Sequence, residues 1–179
     1  MFSSVLSAAI CGIDGRKITV EADVSDGLPV FSMVGYLASE VREAQDRVRT
    51  ALKNTGIRLP ARRITVNLAP ADIRKAGSGF DLPIAVAVLS CLEQIPRQRT
   101  EGILFVGELS LDGGINGIRG VMELVSCAVR QGCHTCIVPE ENLAEGSVIQ
   151  GIKVLGAGHI RQVIRYLRGQ GELEQRSIN

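Results

Sequence analysis

The chain has 179 residues, 45% of them hydrophobic and 22% charged, with a formal net charge of +1. That length and balance support a buried core, and they exclude a disordered or uniformly basic chain apart from a polar tail at 170–179. No window reaches the ~18 apolar residues of a membrane span, and the first ten residues lack a positive leader segment.

The N-terminal third reads as β-structure. Residues 5–13 are small and apolar, Asp14-Gly15 is a hairpin signal, and residues 17–24 alternate through Ile18, Val20, Ala22 and Val24. A second turn at Ser25-Asp26-Gly27 leads to a short strand over 29–34. Residues 39–55 predict a helix capped by Ser39, with Glu40 in its first turn and Gly56 as its stop. Val41, Ala44, Val48, Ala51 and Leu52 form its apolar stripe.

Residues 63–68 alternate again, and Pro70 closes that strand. The loop Lys75-Ala76-Gly77-Ser78-Gly79-Phe80 then runs into a helix over 81–92. Asp81 is its expected N-cap. Its apolar residues lie on every side, so it should be central and buried. Further strands are expected at 102–107, 108–111, 115–118, 135–138 and 152–155, with helices at 121–131, 140–145 and 159–168. The pattern is a single α/β (α+β) domain with a mixed sheet and packed helices over 1–169, followed by the tail at 170–179.

Charge is uneven along the chain. Residues 42–75 carry nine Lys/Arg against three Asp/Glu, or +6, and the remainder sums to −5. Such asymmetry marks either a basic face or a set of solvated helix positions. Arg42, Arg47, Arg49, Arg62, Arg63, Arg74 and Lys75 are the candidate anion or DNA contacts on it, with Ser78 beside them. The Gly77-Ser78-Gly79 loop itself admits three readings: a tight turn, a phosphate cradle at a helix start, or a serine nucleophile. No G-x-x-x-x-G-K-[ST] run is present, so the loop is not a P-loop.

Five cysteines without scaffold spacing fit reduced thiols in the cytoplasm. Cys133-His134-Thr135-Cys136 has half the spacing of a zinc site, with Cys127 and His159 as distant helpers. No second pair follows, so buried thiols and no metal are expected.

The run over 76–89 and the run over 107–132 together resemble the proteolytic domain of Lon-type proteases. The resemblance lays Gly77 on that loop's glycine, Gly79 on its serine nucleophile and Met122 on its catalytic lysine. Neither residue can do that chemistry. The implication is a Lon-type fold with the dyad absent and no catalytic residue in this chain.

A second resemblance covers nearly the whole chain. Gly12-Ile13-Asp14-Gly15, Gly27-Leu28-Pro29, Glu40-Val41-Arg42-Glu43, Asn67-Leu68-Ala69-Pro70-Ala71-Asp72, Gly77-Ser78-Gly79-Phe80-Asp81-Leu82-Pro83 and Gly107-Glu108-Leu109 look like the N-terminal domain of the ComM/YifB family of Mg-chelatase-like AAA+ ATPases. It implies a hexameric, DNA-remodelling ATPase of natural transformation. ATP and magnesium would be held in a Walker-motif module outside this chain. For the chain itself it implies a non-catalytic accessory domain, aiding assembly or DNA contact. Two alternatives stand beside it: a degenerate peptidase using Ser78, and a purely structural hexamer-stabilising domain.

Overall fold

A computed structural model describes residues 1–176. The chain opens with β1 (Phe2–Cys11) and β2 (Asp14–Ser25), a long antiparallel hairpin registering Val5 against Val20. Its turn falls at Gly12-Ile13 rather than at Asp14-Gly15, because Gly12 takes the left-handed φ of +67° that the reversal requires. Gly15 instead serves close packing. A Cβ there would lie 2.6 Å from the Glu123 carbonyl oxygen of a helix laid across the hairpin.

After β3 (Phe31–Val34), the expected single helix arrives as α1 (Ser39–Arg42) and α2 (Ala44–Asn54). They are separated only by Glu43, whose φ of −65° and ψ of −15° stay near helical values. Ala38 occupies the N-cap, so Ser39 does not cap the helix. Then come β4 (Arg63–Ala69), α3 (Asp81–Cys91), β5 (Ile103–Phe105), the hairpin β6 (Glu108–Leu109) and β7 (Ile115–Asn116), and α4 (Val121–Arg130). β8 (Thr135–Pro139), α5 (Leu143–Gly146), β9 (Lys153–Ala157) and α6 (Ile160–Leu167) complete the described strands and α-helices.

The main sheet is mixed, in the order β3-β4-β2-β1-β5-β8-β9. The β1–β2 and β2–β4 pairs are antiparallel, and the other four are parallel. Strand alternation sends side chains to two apolar clusters. Ile103, Phe105, Ile137 and Leu155 join α2, α3 and α6 in one. Leu104, Cys136, Val138 and Val154 join α4 and α5 in the other. All eleven residues of α3 are buried, as its all-round apolar sequence demands.

The polar tail does not leave the domain at residue 170. Glu174 pairs with Gly156 beside β9, and Leu173 packs against the core. Residues 177–179 of the expected tail lie outside the described residues. No helix is long and apolar enough to cross a membrane among those residues.

Candidate functional site

The glycine loop is fastened on both sides. Lys75 bridges to Leu37 just before α1: its amide donates to the Tyr36 carbonyl, and its own carbonyl accepts from Ala38. The Gly77 amide donates to a Glu40 carboxylate oxygen at 3.0 Å, and this bond holds the Glu40 carboxyl below its usual range. At the start of α3, the Leu82 amide donates to Gly107 O at 3.0 Å, and the Gly107 amide donates back to Gly79 O at 2.9 Å. Amides that could have cradled an anion at this helix start are therefore partly spent on the protein itself.

Asp81 does not cap α3. Its side chain turns inward, fully buried, and accepts from Arg47 Nε at 2.7 Å, Arg47 Nη2 at 3.0 Å and the Leu109 amide at 3.0 Å. Arg47 also donates to the Glu40 carbonyl at 2.6 Å. One ion pair thus locks α1, α2, α3 and β6 together. Burial drives the Asp81 carboxyl up to about 6, against the pull of Arg47 and the Leu109 amide.

A carboxyl raised from 3.8 in this way favours the fold when protonated. Its contribution is fully present below about pH 3.8 and is lost as pH rises through about 6. Denaturant titrations from acid to neutral pH should show wild type losing stability relative to Asp81→Asn across that window, by roughly 3 kcal/mol at most. A pH-independent difference would refute the assignment.

The loop forms one wall of a cleft of about 490 Å³, shared with Ile10, Val106, Ile118 and Arg119. Gly79 faces it, and a Cβ there would meet only the Ile118 side chain, at an ordinary 3.5 Å from Cδ1 and 3.8 Å from Cγ2. A small side chain would therefore fit at Gly79. Met122 is 38% exposed and lines a different depression with Ile13, Asp14 and Glu123. Ser78 lies in the cleft, but Lys75 cannot serve it. The lysine is fully buried, donates to the Pro70 carbonyl, and is pushed down in pKa by that burial.

The basic stretch divides on folding. Arg47 and Lys75 are withdrawn from the surface, which corrects their expected role as exposed contacts. A charge sum along the sequence cannot tell a solvated cation from a buried one. Arg42, Arg63 and Arg74 are exposed on α1, at the start of β4 and on the loop. Arg49 and Arg62 converge on a second recess, of about 460 Å³, between β3, the C-terminal end of α2 and residues 58–62. Two cations that sequence reading did not single out, Lys53 and Arg58, complete it. Their signal was the i, i+4 spacing of Arg49 with Lys53 and of Arg58 with Arg62.

Cys127, Cys133 and Cys136 sit in the apolar cluster under α4, and burial raises all three thiols. His134 contacts Thr135 Oγ1 at 2.7 Å and the Glu101 carbonyl at 3.0 Å. His159 caps α6 and contacts the Asp112 carbonyl. Among the described residues no group of three or more His, Cys, Asp or Glu is placed to hold a metal.

This fold, with its loop, hairpin and buried helix, is that of a Lon-like α/β domain. The family model described as subunit ChlI of Mg-chelatase matches residues 20–142, and the chain belongs to that family. It is 42% identical to the uncharacterised protein YifB of Salmonella typhimurium, over 96% of this chain and 34% of that protein. It is 38% identical to competence protein ComM of Haemophilus influenzae, over 94% of this chain and 33% of that protein. A more distant match, 23% identical over 91% of this chain and 22% of the relative, is to Lon protease of Rickettsia typhi, and fits the fold. The chain spans about a third of the length of YifB and ComM.

Proposed function

We propose that the chain is a non-catalytic accessory domain of a hexameric, DNA-remodelling AAA+ ATPase that works in the cytoplasm. In this reading the parent protein drives branch migration during natural transformation, and the domain contacts DNA or helps subunits assemble. The observation that carries the DNA contact is the convergence of Arg49, Lys53, Arg58 and Arg62 on one recess of a chain whose net charge is only +1. The non-catalytic part is supported by Gly79 and Met122, which stand where Lon-type enzymes need serine and lysine and line separate depressions.

ATP and magnesium belong, in this reading, to a module outside residues 1–179. The residues present do not fit a triphosphate. The Gly77–Gly79 loop is followed by Phe80-Asp81 rather than by a lysine and a hydroxyl residue, and Glu40 already takes the Gly77 amide.

The test is fluorescence anisotropy of this domain with labelled single- and double-stranded DNA across a salt series. Binding at low salt that weakens steeply as salt rises is the expected result. Undetectable binding at low salt would remove the DNA contact and leave assembly. Sizing the full-length protein with and without residues 1–179 then tests that.

A further inference from the structure

We infer that the recess between β3 and residues 58–62 is a nucleotide site for single-stranded DNA, with cations for the phosphate and an apolar wall for the base. The inference rests on the DNA-contact reading above and adds where and in what form the strand is held. At about 460 Å³ the recess falls in the size range of small-ligand sites, and it is open to solvent along one side.

Its walls are of two kinds. Arg49, midway along α2, and Lys53, in its last turn, stand one turn apart, and Arg58 and Arg62 follow on the loop. Pro29, Val30, Leu59 and Pro60 supply apolar surface. The Arg49 guanidinium lies over the Phe31 ring, 5.8 Å from its centroid, which fixes a flat cationic plate at the edge of the recess.

The cations are under-compensated. Asp26 approaches only Arg62, at 3.4 Å, and is itself 99% exposed. That contact is to the buried Arg62 Nε, which makes no hydrogen bond among the described residues. Arg49 and Lys53 are like charges at i, i+4, which repel, although the negative end of α2 offsets part of this. By contrast Arg47, on the same helix, is matched by a buried carboxylate. A bound anion would relieve the repulsion that Asp26 leaves.

The apolar wall decides between ligands. Duplex DNA offers phosphates but keeps its bases stacked, so the wall would stay wet. A single strand can lay a base against Leu59, Pro60 and the Arg49 plate while its phosphate meets Arg58 and Lys53. An acidic peptide would satisfy the charges without a flat π-surface for the plate.

The test uses this domain with a labelled oligo-dT and a duplex of equal phosphate number, measured by anisotropy. Arg49→Glu/Arg58→Glu is compared with Arg161→Glu/Arg165→Glu, an equal charge change on the exposed face of α6, with circular dichroism confirming the fold of each. The pocket pair should weaken oligo-dT binding about tenfold more than the α6 pair. Leu59→Ser should weaken oligo-dT by about fivefold and leave the duplex unchanged. Equal losses from both pairs would overturn the pocket and leave DNA contact standing. No binding of either nucleic acid by wild type at low salt would overturn both. Displacement of oligo-dT by poly-glutamate of equal charge, as readily as by unlabelled oligo-dT, would overturn the assignment to nucleic acid.

Discussion

Replacing Arg47 by alanine is expected to destabilise the domain by about 3–5 kcal/mol at neutral pH, a large share of the stability of a domain this size. The reason is the carboxylate left behind. Asp81 is fully buried, and Arg47 supplies two of its hydrogen bonds, at 2.7 and 3.0 Å. Without that partner only the Leu109 amide remains among its described contacts. The loss should shrink in acid, because the stranded carboxyl can then take up a proton. Urea denaturation of Arg47→Ala at neutral and mildly acidic pH measures both effects. A double variant, Arg47→Met/Asp81→Leu, should recover much of the loss, since apolar side chains of similar size can replace a buried ion pair. A loss below about 1 kcal/mol for Arg47→Ala would place the pair with ordinary surface ion pairs.

The second large effect is expected at Leu89. It is fully buried in α3, the helix enclosed on all sides by β1, β2 and α2. Leu89→Ala should cost about 2–5 kcal/mol, the spread depending on how far the surrounding side chains close the cavity. Met122→Ala, on the exposed side of α4, should fall within about 0.5 kcal/mol of wild type. Thermal or urea unfolding of the two variants separates these positions. Near-equal losses would mean that Met122 retains a structural role its exposure does not reveal.

The contrast between these residues also explains what was legible before folding. Leu89 follows from local pattern alone, since its helix is apolar at every turn. The β1–β2 hairpin follows from alternation, but local signals place its turn two residues late because both Gly12 and Gly15 are present. Gly15 is required for approach to α4, a contact between segments about a hundred residues apart. Asp81 looked like a cap by the same local logic. Its true partner, Arg47, lies 34 residues away, and no local rule pairs them.

The charge asymmetry over 42–75 is visible in the sequence, but which of its cations share a surface is not. Folding buries Lys75, pairs Arg47, and gathers Arg49 and Lys53 of α2 with Arg58 and Arg62 of the α2–β4 connection. The loop at 75–80 was legible as a fold element whose nucleophile position is glycine. The capture of its Gly77 amide by Glu40 was not, because that contact depends on how α1 meets the loop.

The central claim is that this domain keeps a Lon-type fold without its chemistry. The most direct measurement is intact-mass spectrometry of wild type and Ser78→Ala after treatment with a fluorophosphonate. Lys75 faces the Pro70 carbonyl, and both histidines are held by other groups, so none of these three is free to activate Ser78. The account predicts no adduct on either protein. A stoichiometric adduct on wild type that disappears in Ser78→Ala would contradict it.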